Sequence, residues 1–136
     1  MKYSIIVPVY NRPDEVDELL GSLCSQTLKD FEVVIVEDGS QKPCKDVCDK
    51  YASILDLLYY YKDNSGPGQS RNYGVERAQG EYVIILDSDV VLPENYLEAT
   101  DASLTSAISH QSSLPGADLM LPTLHSRLCR KPFPTA

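Results

Sequence analysis

Short apolar runs alternate along this chain with stretches in which apolar residues recur every three or four positions. Tyr3-Ser4-Ile5-Ile6-Val7-Pro8-Val9-Tyr10 is β-branched and almost continuously apolar, which predicts a strand buried on both faces, as in a parallel sheet. Val16, Leu19, Leu20, Leu23 and Cys24 then fall on one helical stripe. Asn11 offers that helix a cap, Pro13 suits its first turn, and Asp14 and Glu15 complement its dipole. Phe31 to Val36 predicts a second buried strand ending at Glu37-Asp38-Gly39-Ser40. Lys45 to Ser53 predicts a helix with Val47, Cys48 and Tyr51 inward, and Leu57 to Tyr61 a third strand. Asp63 to Gly68 carries dense turn signals, Gln69 to Ala78 is helical in pattern and stopped by Gly80, and Tyr82 to Leu86 is a fourth strand. Pro93 can open a further helix through Tyr96 and Leu97.

The order β-α-β-α-β-α-β with short connections predicts an α/β fold: an open, mainly parallel sheet with helices on both faces and right-handed crossovers. Ligands of such sheets sit beyond the carboxyl ends of the strands, at a switch point. The polar residues gather at those places: Tyr10-Asn11, Asp38, and Asp87-Ser88-Asp89.

Length and charge narrow the function. A chain of 136 residues is one domain, and 43% hydrophobic with 24% charged residues is ordinary for a globular protein. Twelve basic against twenty acidic residues give a net charge of −8, which disfavours nucleic acid or anionic lipid as a bulk electrostatic partner. A phosphate ligand would need a local device, a metal or backbone amides. The apolar run Ile5 to Val9 is too short for a signal peptide or a membrane span, so no integral membrane segment is expected. Cys24, Cys44, Cys48 and Cys129 are too few for a disulfide scaffold, and reduced thiols in a cytoplasm, including the inner face of a membrane, are the expected setting. Cys44 and Cys48 share a helix face, but with only His110 and His125 as histidines, core thiols are expected rather than a zinc site.

Two acids one residue apart at the end of a buried strand repel each other, and a divalent cation removes that penalty. Hard Mg2+ or Mn2+ prefers one or two carboxylates plus phosphate oxygens, so Asp89 is assigned to metal, and Asp87 to the ribose or a metal-bound water. A solvated strand-end turn is the plainer alternative. Asp38 can accept a hydrogen bond from a base N–H, or it can cap a turn with Gly39 and Ser40. Gly66-Pro67-Gly68-Gln69-Ser70-Arg71-Asn72 opens a helix, whose first amides and arginine suit a diphosphate or a base edge; an ordinary loop with a surface arginine is the alternative. The spacing fits neither the dinucleotide-binding glycine fingerprint nor the P-loop.

Taken together, Ser4 to Asn11, Ser25-Gln26-Thr27-Leu28, Phe31 to Ser40, Gly66 to Asn72, and Gly80-Glu81-Tyr82 through Leu86-Asp87-Ser88-Asp89 resemble the family 2 glycosyltransferases of GT-A fold, over about residues 2–98. The resemblance implies a Rossmann-like nucleotide-binding half-domain, a UDP- or GDP-sugar donor and a divalent metal. Pro8, Tyr10 and Asp38 match the nucleoside pocket and Arg71 a position near the base or diphosphate. Asp87 and Asp89 match the Asp-x-Asp element; Glu37 departs from the more usual aspartate. The implied chemistry is inverting transfer to a saccharide or lipid-linked acceptor, with a carboxylate as general base. In the family that base and the acceptor site come from the second half of the domain. No matching segment follows here, so no catalytic base is assigned, and oligomers are compatible with the reading.

After Ala99 the resemblance stops. All nine tyrosines precede residue 100, and residues 101–136 carry a net +1, leaving −9 on the first hundred. Residues 1–99 are therefore expected to be the nucleotide-sugar-binding half-domain, and residues 100–136 an unpatterned, loosely structured tail, truncated or frameshifted relative to the family. Back-translated codons from Gly116 onward, read from the third base, permit a continuation of the family pattern. A missing second half predicts an exposed edge of the sheet and a tendency to associate. A non-catalytic nucleotide-sugar-binding module shares every pocket residue and is the chief alternative. A receiver-like signalling domain needs a strand-end lysine after the acids, and Lys131 is the only lysine beyond Lys62.

Overall fold

The computed structural model describes residues 3–110, 118–120 and 126–130, with side chains described over 3–106. Four parallel strands form the frame: β1 (Tyr3–Val9), β2 (Phe31–Asp38), β3 (Leu57–Lys62) and β4 (Tyr82–Leu86). They lie in the order β3-β2-β1-β4, so the first strand in sequence is central. Tyr3 aligns with Phe31 on one side and with Tyr82 on the other, which keeps the carboxyl ends of all three strands on one edge. The chain leaves β1 to build β2 and β3 on one side and returns to build β4 on the other. Between β1 and β4 lies the switch point where such sheets bind ligands.

Period-two alternation splits the apolar residues between two layers. Ile5, Val7, Val33, Ile35 and Ile84 face one core, with Val16, Leu19, Leu20 and Leu23 of α1 (Pro13–Cys24) and Cys48 of α2 (Lys45–Tyr51). Leu97 and Leu104 of α4 (Tyr96–His110) join the same layer. Ile6, Val34, Val36 and Val83 face the other, under α3 (Pro67–Arg77). Helix α3 lies so close to the sheet that a Cβ on Gly74 would stand 2.5 Å from Ile6 Cγ2, which is why glycine occupies that turn. Helices therefore cover both faces, as the alternating pattern predicts.

Two expectations need correction. Asn11 does not cap α1: Arg12 holds the cap position without a side-chain bond, and Asn11 takes a left-handed backbone with φ of 54°. Its amide side chain serves a loop instead. The pattern break near residue 100 falls within α4, which continues to His110 and buries Leu104. Tyr3 Oη, at the start of β1, donates to Asp101 Oδ1 at 2.7 Å, so the helix beyond Ala99 is tied to the first strand. Beyond β4 the sheet continues with β6 (Ser126–Arg130), antiparallel to β4, and ends with β5 (Asp118–Met120), antiparallel to β6. His125 and residues 111–117 lie outside the described residues, and among the described residues no helix is long and apolar enough to cross a membrane.

Candidate functional site

The carboxyl edge of β1, β2 and β4 collects most of the polar residues singled out above. Pro8 is half-buried near the end of β1, and Tyr10, just past it, is 50% exposed between buried Val9 and left-handed Asn11. A large aromatic ring in solvent at a strand end is suited to stacking on a flat ligand.

Asp38 closes β2 and is almost fully buried. Its Oδ1 accepts from Lys62 Nζ at 2.6 Å and from the Ser65 amide at 2.8 Å, and its Oδ2 from the Gly66 amide at 3.0 Å. Burial alone would raise this carboxyl's pKa, but the Lys62 bond, the two amide bonds and the lysine charge together hold it below the usual aspartate value. Asp38 does not cap a turn with Gly39 and Ser40, since its side chain reaches residues 62–66 instead. The amide of Gly66, at the head of the glycine-containing loop, is thereby engaged. Three bonds leave one lone pair of Oδ2 for a further donor, so the group can accept from a base N–H while staying anchored. Arg71 is half-buried one turn into α3, beyond that loop.

Asp87 and Asp89 differ in setting. They follow buried Leu86, both are exposed, and neither side chain is held by a hydrogen bond or ion pair among the described residues. Val90 and Leu92 just beyond are buried, which fixes the exit of the turn. Two free carboxylates of hard oxygen character fit a Mg2+ or Mn2+ ion that completes its shell with water and diphosphate. Among the described residues no group of three His, Cys, Asp or Glu side chains gathers to enclose a metal, so a full protein cage is excluded there. Cys44 and Cys48 are buried with sulfurs 3.9 Å apart, as expected of core thiols.

Sequence reasoning missed three residues. Glu37 is fully buried and accepts from the Cys44 amide at 2.7 Å, from Tyr59 Oη at 2.9 Å and from Ser40 Oγ. Burial and the bond to Glu37 push the Tyr59 hydroxyl pKa far up. Lys62 was overlooked although it ends β3 directly opposite Asp38 in the ladder; strand register was the available signal. Gln26, 1% exposed, donates through Nε2 to the Ser22 and Pro93 carbonyls and accepts the Leu97 amide, tying the end of α1 to the segment after the acid pair.

A family profile described as Glycosyl transferase family 2 matches residues 4–102. An uncharacterized glycosyltransferase from Rickettsia bellii is 35% identical over 97 residues, covering 71% of this chain and 14% of that protein. Poly(ribitol-phosphate) beta-N-acetylglucosaminyltransferase TarS of Staphylococcus aureus is 42% identical over 93 residues, covering 65% of this chain and 16% of that protein. The crystal structure of TarS 1–349 in complex with UDP-GlcNAc superimposes with a TM-score of 0.74 at 29% identity, over 96% of this chain and 46% of that one. The chain thus spans only about a seventh of the length of these two curated relatives.

Proposed function

This chain belongs to glycosyl transferase family 2, and from that premise we propose that it forms the donor-binding part of a transferase using a nucleoside-diphosphate sugar, a UDP-sugar in the first instance. One observation carries the reading. Carboxylates of two kinds stand at one edge of the sheet, on either side of β1: Asp38, buried and anchored, and Asp87 with Asp89, exposed and free. The solved relative that holds UDP-GlcNAc shares this fold, which favours UDP among nucleotides.

The roles follow from chemistry. Asp38, ionised and rigid, accepts an imide N–H of the base. Tyr10 and Pro8 flank the nucleoside, with the Tyr10 ring against the base. Arg71 supplies positive charge toward the base or diphosphate. Asp87 binds the ribose hydroxyls or a metal-bound water, and Asp89, together with Asp87, holds Mn2+ or Mg2+. When bound there, the cation neutralises charge on the departing diphosphate. The full reaction is inverting transfer to a saccharide or lipid-linked acceptor. The matched segment, residues 4–102, supplies the donor side, and no general base is assigned within it. The second reading, a nucleotide-sugar binder that does not transfer, uses the same pocket residues.

Calorimetry and thermal shift with UDP-, GDP- and dTDP-sugars, with and without Mn2+, test the proposal. Binding of one nucleotide, strengthened by metal and losing that strengthening in Asp89→Ala, is the expected result. No response to any nucleotide overturns the donor-site reading. Sugar transfer to any acceptor overturns the binder-only reading.

A further inference from the structure

Ser40 Oγ donates to Glu37 and accepts the Asn11 backbone amide at 2.8 Å. Asn11 Oδ1 in turn accepts the Gln41 and Lys42 amides at 2.8 and 2.9 Å. The exits of β1 and β2 are thus stitched together twice, and both stitches pass through a residue forced into the left-handed region, φ 54°. Such a backbone persists in a non-glycine residue only where its surroundings determine it, and Asn tolerates it best. The residue immediately before Asn11 is Tyr10, whose ring has nothing packed over half its surface. A ring so exposed takes its direction from the backbone that carries it.

We propose that Glu37, Ser40 and Asn11 form a clasp, buried at its Glu37 and Ser40 end, that presents the Tyr10 ring to the base of the nucleotide. Glu37 is the fixed end, since the Cys44 amide and Tyr59 hydroxyl pin its carboxylate from α2 and β3. Ser40 relays that position to the Asn11 amide, and Asn11 returns the link to the loop after β2. The three are positioning residues: none of them is required to touch the ligand. The inference rests on the proposed donor site, and it explains why an acid next to Asp38 in sequence is used inward while Asp38 faces the 62–66 loop.

Ser40→Ala is the sharpest variant, because it deletes only the relay oxygen; Asn11→Gly is the second, because glycine keeps the backbone shape and loses the amide side chain. Without ligand, hydrogen exchange in Ser40→Ala should quicken at the Gln41 and Lys42 amides, which Ser40 does not itself bond, as well as at Asn11. Unchanged exchange at Gln41 and Lys42 overturns the clasp, whatever the chain binds. With UDP, Ser40→Ala should weaken binding about tenfold, the lower range for groups that orient a ligand-contacting residue. The same substitution in a Tyr10→Ala background should then have no further effect, because the relay acts through the ring. Equal losses in both backgrounds overturn the link to Tyr10. Absence of UDP binding by the unaltered chain would instead defeat the donor-site reading, and with it the presenting role, while exchange still decides the clasp.

Discussion

Asp38 and Asp89 stand on the same edge of one sheet, each at the end of a buried parallel strand, and are treated by the fold in opposite ways. Asp38 is wrapped: a lysine and two backbone amides meet its two oxygens. Asp89 and its neighbour Asp87 are left in solvent without a partner among the described residues. A buried carboxylate costs several kcal/mol unless its lone pairs are met, so Asp38 is necessarily part of the architecture as well as a candidate reader. An exposed pair costs little to hold and is free to change partners, as a metal and a departing diphosphate require. A rigid group suits recognition of a base, and a labile one suits an ion that arrives with its ligand.

The largest expected effect that sharpens this contrast is on stability. Asp38→Ala removes the counter-charge of Lys62, which keeps the Asp63 carbonyl and Ser65 Oγ, and leaves two amides without their acceptor; it should cost about 3 kcal/mol in urea unfolding, the range for breaking a buried pair from one side. A cost below about 1 kcal/mol would mean that Asp38 is as free as Asp89. The pH dependence has a definite sign. Asp38 is held below its unfolded pKa, so its contribution is fully present above about pH 4, the ordinary aspartate value, and is lost as pH falls through the folded value. Urea midpoints in acid should therefore fall less steeply in Asp38→Asn than in the parent chain. Tyr59→Phe removes one donor from Glu37 and should cost about 1 kcal/mol, measured in the same way. The smallest effect is at the free pair: Asp87→Ala and Asp89→Ala should leave stability within about 0.5 kcal/mol while abolishing the Mn2+ dependence of nucleotide binding. A large stability loss there would break the comparison.

The strands and the layers were legible because burial on both faces leaves continuous β-branched runs, and the helical stripe of α1 is a direct readout of which side meets the sheet. What was not legible were side-chain partnerships that depend on register. Asp38 meets Lys62 because β2 and β3 align those two residues, and no local pattern announces a contact between strand ends 24 positions apart. Asn11 looks like a helix cap in one dimension, since its residue type fits the place. In three dimensions the loop after β2 passes within reach and its amides compete successfully for the same oxygen. Glu37 was visible only as a departure from a family pattern, because a buried acid has meaning only through the donors around it. The pattern break at Ala99 is a change in composition, and it did not anticipate that α4 would tie Asp101 to the first strand and bury Leu104 in the core.

The central position of β1 has a consequence for synthesis. A ribosome releases Tyr3–Val9 before either of its neighbours, and one flank of that strand waits for residues 31–38 and the other for residues 82–86. Throughout that interval a seven-residue, strongly apolar ribbon has at most half of its eventual neighbours. Long-range pairing of this kind slows folding and lengthens the time during which a nascent chain can stick to another. The same placement that gives the edge its switch point thus leaves β1 waiting for its last partner until β4 has been made.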